Sequence, residues 1–469
     1  MLREEKAKVN RAHYIQTEDG REIAFFPDTQ RFFVVDTKNK EIIEDICALD
    51  KDAVIQKHTL TQDDYDRLVA AMTPHPQQTA LRETDVDAYV KWSVGEPKVL
   101  GRWILHLAND CNLRCVYCYA NGGNYHSDRN LMSKETLDRA IDVFYAEYDH
   151  MGLVQFFGGE PLLNMDLIEY GCERISEIER SRGYEPSFGV VTNGTLINDR
   201  FIEMARRYRM DVTVSYDGDP QLNDKMRPFP NGRGSSDIVL KNIQRLRDVT
   251  GQSNIESTYT KCHEDAGISI LDVVKNTREL FPDCSVHISP FSGDTSCPYA
   301  VQDLSIFSDA IPVIVEESLR TGKPIHSFLR ANQAFSVLSE KNGTGRITLC
   351  DAAVQKISVS TKGDIFPCFL FTDQEDMKLG SIWDENVFNS DFRKKVHRIM
   401  EYNFKPHHPE CWDCIARYSC YHCIGIDSME NNGELKLSEK QCDMYRKMVT
   451  EAIKGTAKIY EKKQESANK

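Results

Sequence analysis

Between residue 101 and about residue 290, six short apolar segments alternate with amphipathic helical stretches. The segments are Trp103–Leu107, Leu153–Phe157, Ser187–Thr192, Asp211–Tyr216, Ile255–Thr260 and Val286–Ser289. Helical periodicity fills the gaps, as at Lys134–Tyr148 and Asp166–Arg180. Strand and helix in strict alternation imply a parallel sheet with right-handed crossovers. An α/β partial (β/α)6 barrel over 101–300 is therefore expected, with chemistry at the C-terminal ends of its strands.

The 469 residues also contain 15 cysteines. The charged start, Met1-Leu2-Arg3-Glu4-Glu5, has no apolar stretch behind it, and no run approaches the roughly 20 residues that span a bilayer. A cytoplasmic protein with no membrane partner is expected. A reducing compartment disfavours disulfides, so the cysteines point to metal or redox chemistry. A net charge of −14 argues against a nucleic-acid partner, because phosphate contacts need a basic face. Cys47, Cys172, Cys262, Cys284 and Cys297 are scattered and read as small buried hydrophobes.

The other ten cysteines are grouped. Cys111-Asn112-Leu113-Arg114-Cys115-Val116-Tyr117-Cys118 follows the first strand directly. Three thiolates in one loop can ligate three irons of a cubane and leave the fourth open to a ligand. A structural zinc would want a fourth protein ligand, which the loop lacks. Strand ends behind this loop carry Gly158-Gly159-Glu160-Pro161, Thr192-Asn193-Gly194 and Ser215-Tyr216-Asp217-Gly218. Each alone reads as a turn. Together they resemble the radical S-adenosylmethionine (radical SAM) family. The resemblance implies a [4Fe–4S] cluster on Cys111, Cys115 and Cys118 whose open iron chelates the methionine moiety of S-adenosylmethionine. It further implies that Tyr117 lies near the adenine and that Gly158, Gly159 and Glu160 approach the methionine amino group, with Glu160 or a nearby carbonyl as acceptor. Thr192, Asn193, Ser215 and Asp217 would then serve the ribose and carboxylate.

Residues 347–450 hold Cys350, Cys368, Cys411, Cys414, Cys420, Cys423 and Cys442. This region resembles the SPASM domain behind many radical SAM enzymes that modify peptides, with two residues rather than the usual three between Cys420 and Cys423. The resemblance implies a second auxiliary [4Fe–4S] cluster on Cys411, Cys414, Cys420 and Cys442. A first auxiliary cluster would take Cys350, Cys368 and Cys423, either with an open iron or closed by Cys297. His407-His408 read as an exposed loop pair.

Residues 1–75 show three strand-like runs and then helical periodicity, with Thr61 placed to cap a helix. They resemble the winged-helix-like element that binds a leader peptide by adding it as a strand. Residues 76–100 read as a linker, 301–346 as a helical bridge and 451–469 as a polar tail. The combined resemblance is to peptide maturases such as the thioether-forming sactipeptide and ranthipeptide synthases. It implies a precursor peptide with a leader and a cysteine-containing core, and an electron donor such as flavodoxin or ferredoxin. Carbon–carbon cross-linking maturases and sulfatase-maturing oxidases are the rivals. The second carry an acidic residue after the second SPASM cysteine, where this chain has Phe369.

Overall fold

The computed structural model describes residues 11–73, 84–252, 254–293, 296–322, 328–339 and 346–467. Strands β1 (His13–Gln16), β2 (Glu22–Phe26) and β3 (Arg31–Val35) form an antiparallel meander with β2 in the middle. Three helices follow, Thr37–Ala48, Lys51–His58 and Gln62–Met72. Thr61 caps the third through a reciprocal capping box with Asp64. The continuous apolar run Ile23-Ala24-Phe25-Phe26 has a physical reason. Ala24 and Phe26 face the module's own helices, while Ile23 and Phe25 belong to the main core. β2 is thus buried on both faces and needs no polar alternation. In the turn after it, Asp28 forms a buried ion pair with Arg417 at 3.0 Å.

The expected linker at 76–100 differs in its described part. Asp85 caps a helix at Val86–Val94, and β4 (Val99–Leu100) pairs with β6 (His150–Met151). Residues 74–83 lie outside the described residues.

Strands β5 (Arg102–Ala108), β7 (Val154–Gly158), β8 (Phe188–Thr192), β9 (Asp211–Ser215), β10 (Asn254–Tyr259) and β11 (Ser285–Pro290) run parallel in that spatial order. Each lies within a residue or two of the expected segment. On β9 to β11 one face, with Val214, Ile255 and Ile288, is buried. The other carries half-buried polar side chains, Ser215, Glu256 and His287 among them. The sheet does not stop at six strands. β12 (Lys356–Val359) pairs parallel with β5, and β13 (Asp364–Phe366) and β14 (Gly380–Ser381) extend it antiparallel to nine. The cysteine-rich region therefore shares hydrogen bonds and core with the strand–helix repeat.

Described residues of the expected bridge form helices Ile306–Thr321 and Leu329–Ser339, and both pack against a long helix, Glu439–Ala467. That helix overturns the expected polar tail at 451–469. Met444, Met448, Val449, Ala452, Ile453 and Ala457 form one buried stripe at helical spacing, and most positions outside it are charged or polar.

Candidate active site

The cysteine loop begins where β5 ends, and backbone contacts fix it. Arg114 and Val116 donate their amides to the carbonyls of Pro228 and Met226 at 2.8 and 2.9 Å. Gly159 and Glu160 donate theirs to Ala108 and Asp110 at 2.7 and 2.8 Å. A Cβ on Gly159 would stand 2.3 Å from the Asp110 carbonyl oxygen, and one on Gly123 would stand 2.7 Å from the Cys111 Cβ. Only glycine lets these chains approach so closely. Burial pushes the Cys111 and Cys115 thiols up to about 12 and 11, so bound iron must displace their protons.

Tyr117 leaves this loop to donate its hydroxyl to Asp217 Oδ2 at 2.7 Å. Asp217 is fully buried, and Arg227 pairs with the same carboxylate at 3.0 and 3.3 Å. The Arg227 guanidinium also lies 5.2 Å from the Tyr117 ring centroid. Asp217 thus positions Tyr117 and Arg227, a correction to the expectation that it meets the cofactor. The strand end turns its carboxylate inward, where a buried cation fixes it.

Glu160 also finds its partners within the protein, which favours the nearby carbonyl of the two expected acceptors. It is fully buried and accepts from the Leu162 amide (3.0 Å), the Thr192 hydroxyl (2.7 Å) and the Asn193 amide (2.8 Å). Its carboxylate braces the end of β7 against the end of β8 and is not turned toward a ligand. Burial pushes its carboxyl up to about 7, against the three donors that pull it down. The backbone carbonyls of Gly158 and Gly159 stand at the same strand end, that of Gly158 accepting from the Tyr125 hydroxyl at 3.2 Å.

Thr192 is held by that brace. Asn193 reaches the cysteine loop, donating from Nδ2 to Asn112 Oδ1 at 2.9 Å and toward Cys111 Sγ at 3.6 Å. A donor on a thiolate sulfur stabilises its negative charge and tunes a cluster. Ser215 lies on the open sheet face, in register with Glu256 and through it His287. The structure therefore gathers Cys111, Cys115, Cys118, Tyr117, Gly158, Gly159 and Asn193 about one loop, with Glu160, Thr192 and Asp217 as its supports.

The seven C-terminal cysteines fall into two groups. Cys350 and Cys423, half-buried, and Cys368, buried, lie within electrostatic reach of one another, and the Lys356 ammonium pulls all three thiols down against burial. Phe369, next to Cys368, packs on Phe157 and Tyr119 at 4.7 and 6.5 Å, an apolar wall facing the cysteine loop. Cys411, Cys414, Cys420 and Cys442 line one cavity together with His422 and Lys405. Lys405 is buried and donates to the carbonyls of Arg346, Arg417 and Cys420 at 3.0, 2.5 and 3.2 Å, which holds the 417–420 loop.

Among the described residues, no three His, Cys, Asp or Glu side chains converge tightly enough to hold a single metal ion. A zinc needs such convergence. Thiols set around a volume suit the corners of an iron–sulfur cubane. His407 and His408 bond to the carbonyls of Glu401 and Tyr402 at 3.0 and 2.5 Å and approach neither group as ligands. Sequence reasoning did not single out Arg227, Asn112 or His422. Arg227 lies outside the motifs, and Asn112 lies inside the cysteine motif, whose spacing marks only its cysteines and Tyr117. His422 sits inside the Cys420–Cys423 spacing, and that departure was its only signal.

The radical SAM superfamily model matches residues 105–260. An uncharacterized protein of Methanocaldococcus jannaschii is 36% identical over 157 residues, 34% of this chain, and the chain spans about half (52%) of that protein's length. The cysteine-type anaerobic sulfatase-maturating enzyme of Clostridium novyi is 23% identical over 69% of this chain and 88% of its own. Among solved structures, anSMEcpe with bound AdoMet superposes with a TM-score of 0.61 at 20% identity, over 76% of this chain and 93% of that one. Streptococcus suis SuiB bound to precursor peptide SuiA superposes with a TM-score of 0.52 at 16% identity, over 86% and 92%. This chain carries a radical SAM domain over residues 105–260, and a sulfatase-maturating enzyme is among the proteins to which it is similar.

Proposed function

We propose that this protein is a radical SAM maturase that installs thioether cross-links, cysteine sulfur to carbon, in a ribosomally made, cysteine-containing precursor peptide. S-adenosylmethionine on the cluster of Cys111, Cys115 and Cys118 supplies hydrogen-atom abstraction when bound. The chain's residues orient that group. Gly158 and Gly159 offer carbonyls to the amino group, Tyr117 supplies a ring for the adenine, and Asn193 and Ser215 meet the ribose and carboxylate.

The observation that carries the thioether reading is the trio Cys350, Cys368 and Cys423, three cysteines grouped beside the Lys356 charge where the neighbouring group has four. A cluster with three protein thiolates keeps an iron for a substrate thiolate. Phe369 supports it further. Its ring fills the position of the acidic residue expected in a sulfatase-maturing oxidase, so no proton acceptor stands there. Cys411, Cys414, Cys420 and Cys442 would hold a second auxiliary cluster, for three clusters in all, and a flavodoxin or ferredoxin would deliver electrons. Residues 11–73 would bind a leader peptide along the open edge of β3, where Arg31 and Val34 are exposed. No described helix is long and apolar enough to cross a membrane, in keeping with work in the cytoplasm.

The test is coexpression with a short precursor peptide that carries a leader and a cysteine-containing core. A thioether removes two hydrogens and blocks alkylation of the thiol. A product of the same mass that still alkylates would be a carbon–carbon link and would overturn the reading.

A further inference from the structure

His422 is buried at 1% exposure and lines the cavity bounded by Cys411, Cys414, Cys420 and Cys442. Its Nε2 lies 2.6 Å from Asp427 Oδ1, its Nδ1 lies 3.9 Å from Cys442 Sγ, and its ring also bonds the Cys420 side chain. Asp427 is fully buried and firmly held. It accepts from the Tyr402 hydroxyl at 2.8 Å, the Ser438 amide at 2.9 Å and Gln441 Nε2 at 3.1 Å. A carboxylate only accepts, so the Nε2 proton is committed to Asp427 and Nδ1 is the nitrogen left for a metal. A carboxylate behind an imidazole whose other nitrogen faces a metal position is the usual setting of a histidine ligand.

The cavity thus has five donors for a cluster of four irons. We propose that His422, fixed by Asp427, is a fifth donor at the second auxiliary cluster, able to take the iron that Cys442 otherwise holds. This rests on the reading of that cavity as an iron–sulfur site. The pair Cys442 and His422 then forms one exchangeable ligand position, and the cluster carries mixed sulfur and nitrogen ligation whenever nitrogen occupies it. Imidazole in place of thiolate removes negative charge and raises a cluster's potential. Cys414 has no such partner, since its sulfur accepts only from the Ala416 amide at 3.4 Å.

The test uses the full chain, reconstituted with iron and sulfide and without peptide. Cys442→Ala should keep wild-type iron, and the reduced protein should show strong 14N hyperfine coupling to the auxiliary cluster. Cys442→Ala with His422→Gln should lose about four irons per chain, as should Cys414→Ala alone. Cys442→Val is run beside Cys442→Ala so that misfolding of one does not decide the result. Loss of four irons in both single Cys442 variants, or retention without nitrogen coupling, would overturn the proposal. Wild-type iron near four atoms per chain would overturn the auxiliary-cluster reading itself, and this inference with it.

Discussion

The Tyr117 hydroxyl donates to Asp217 Oδ2 at 2.7 Å, and through that contact the cysteine loop is tied to the end of the fourth parallel strand, β9. Arg227 shares the carboxylate, so the three side chains form a buried unit. Replacing Asp217 by alanine strands the Arg227 charge, at a cost of about 3–5 kcal/mol. Tyr117→Phe removes one hydrogen bond to a charged group, about 1.5–3 kcal/mol. Urea unfolding of the metal-free protein should rank Asp217→Ala well below Tyr117→Phe. Equal midpoints would mean that the ion pair does not hold the loop.

Glu160 gives the protein a predicted pH dependence. Its carboxyl lies near 7 when folded, against 4.5 when free. Between those values the folded chain binds more protons than the unfolded chain, so stability falls as pH rises through that window. At about 1.4 kcal/mol per pH unit the Glu160 contribution is about 3 kcal/mol. Glu160→Gln should flatten that fall in metal-free protein, measured by urea unfolding at pH 4.5 to 7.5. An unchanged slope would assign it to other groups.

The close approach of strand end and cysteine loop predicts a sharp steric effect. Gly159→Ala places a methyl 2.3 Å from the Asp110 carbonyl, so the loop must move. Cluster loading and S-adenosylmethionine binding should both drop by at least tenfold, by iron assay and equilibrium dialysis. Gly189→Ala on β8 meets nothing nearer than 3.4 Å and should load normally.

The parallel strands were legible in the sequence because each is a short apolar run between capped helices, such as the one that Ser133 caps at Lys134–Glu147. The grouping of the cysteines was legible for the same local reason, spacing. What spacing does not carry is direction. Glu160 and Asp217 sit in the expected strand-end motifs, yet both side chains turn inward, because each finds its partners in the protein: three donors for one, Arg227 for the other. Long-range pairing was equally hidden. Lys356 aligns with Arg102 across 254 residues, and nothing local in either strand marks the other. Residues 451–467 read as polar because the apolar stripe of a long surface helix is narrow and the exposed positions outnumber it.

The central claim is that Cys111, Cys115 and Cys118 hold the cluster that activates S-adenosylmethionine. The direct measurement is 5′-deoxyadenosine production by the triple Cys→Ala variant, alongside its iron content. The account predicts loss of about four irons per chain, with the remaining iron retained and no 5′-deoxyadenosine formed. A triple variant that still cleaves S-adenosylmethionine would contradict it.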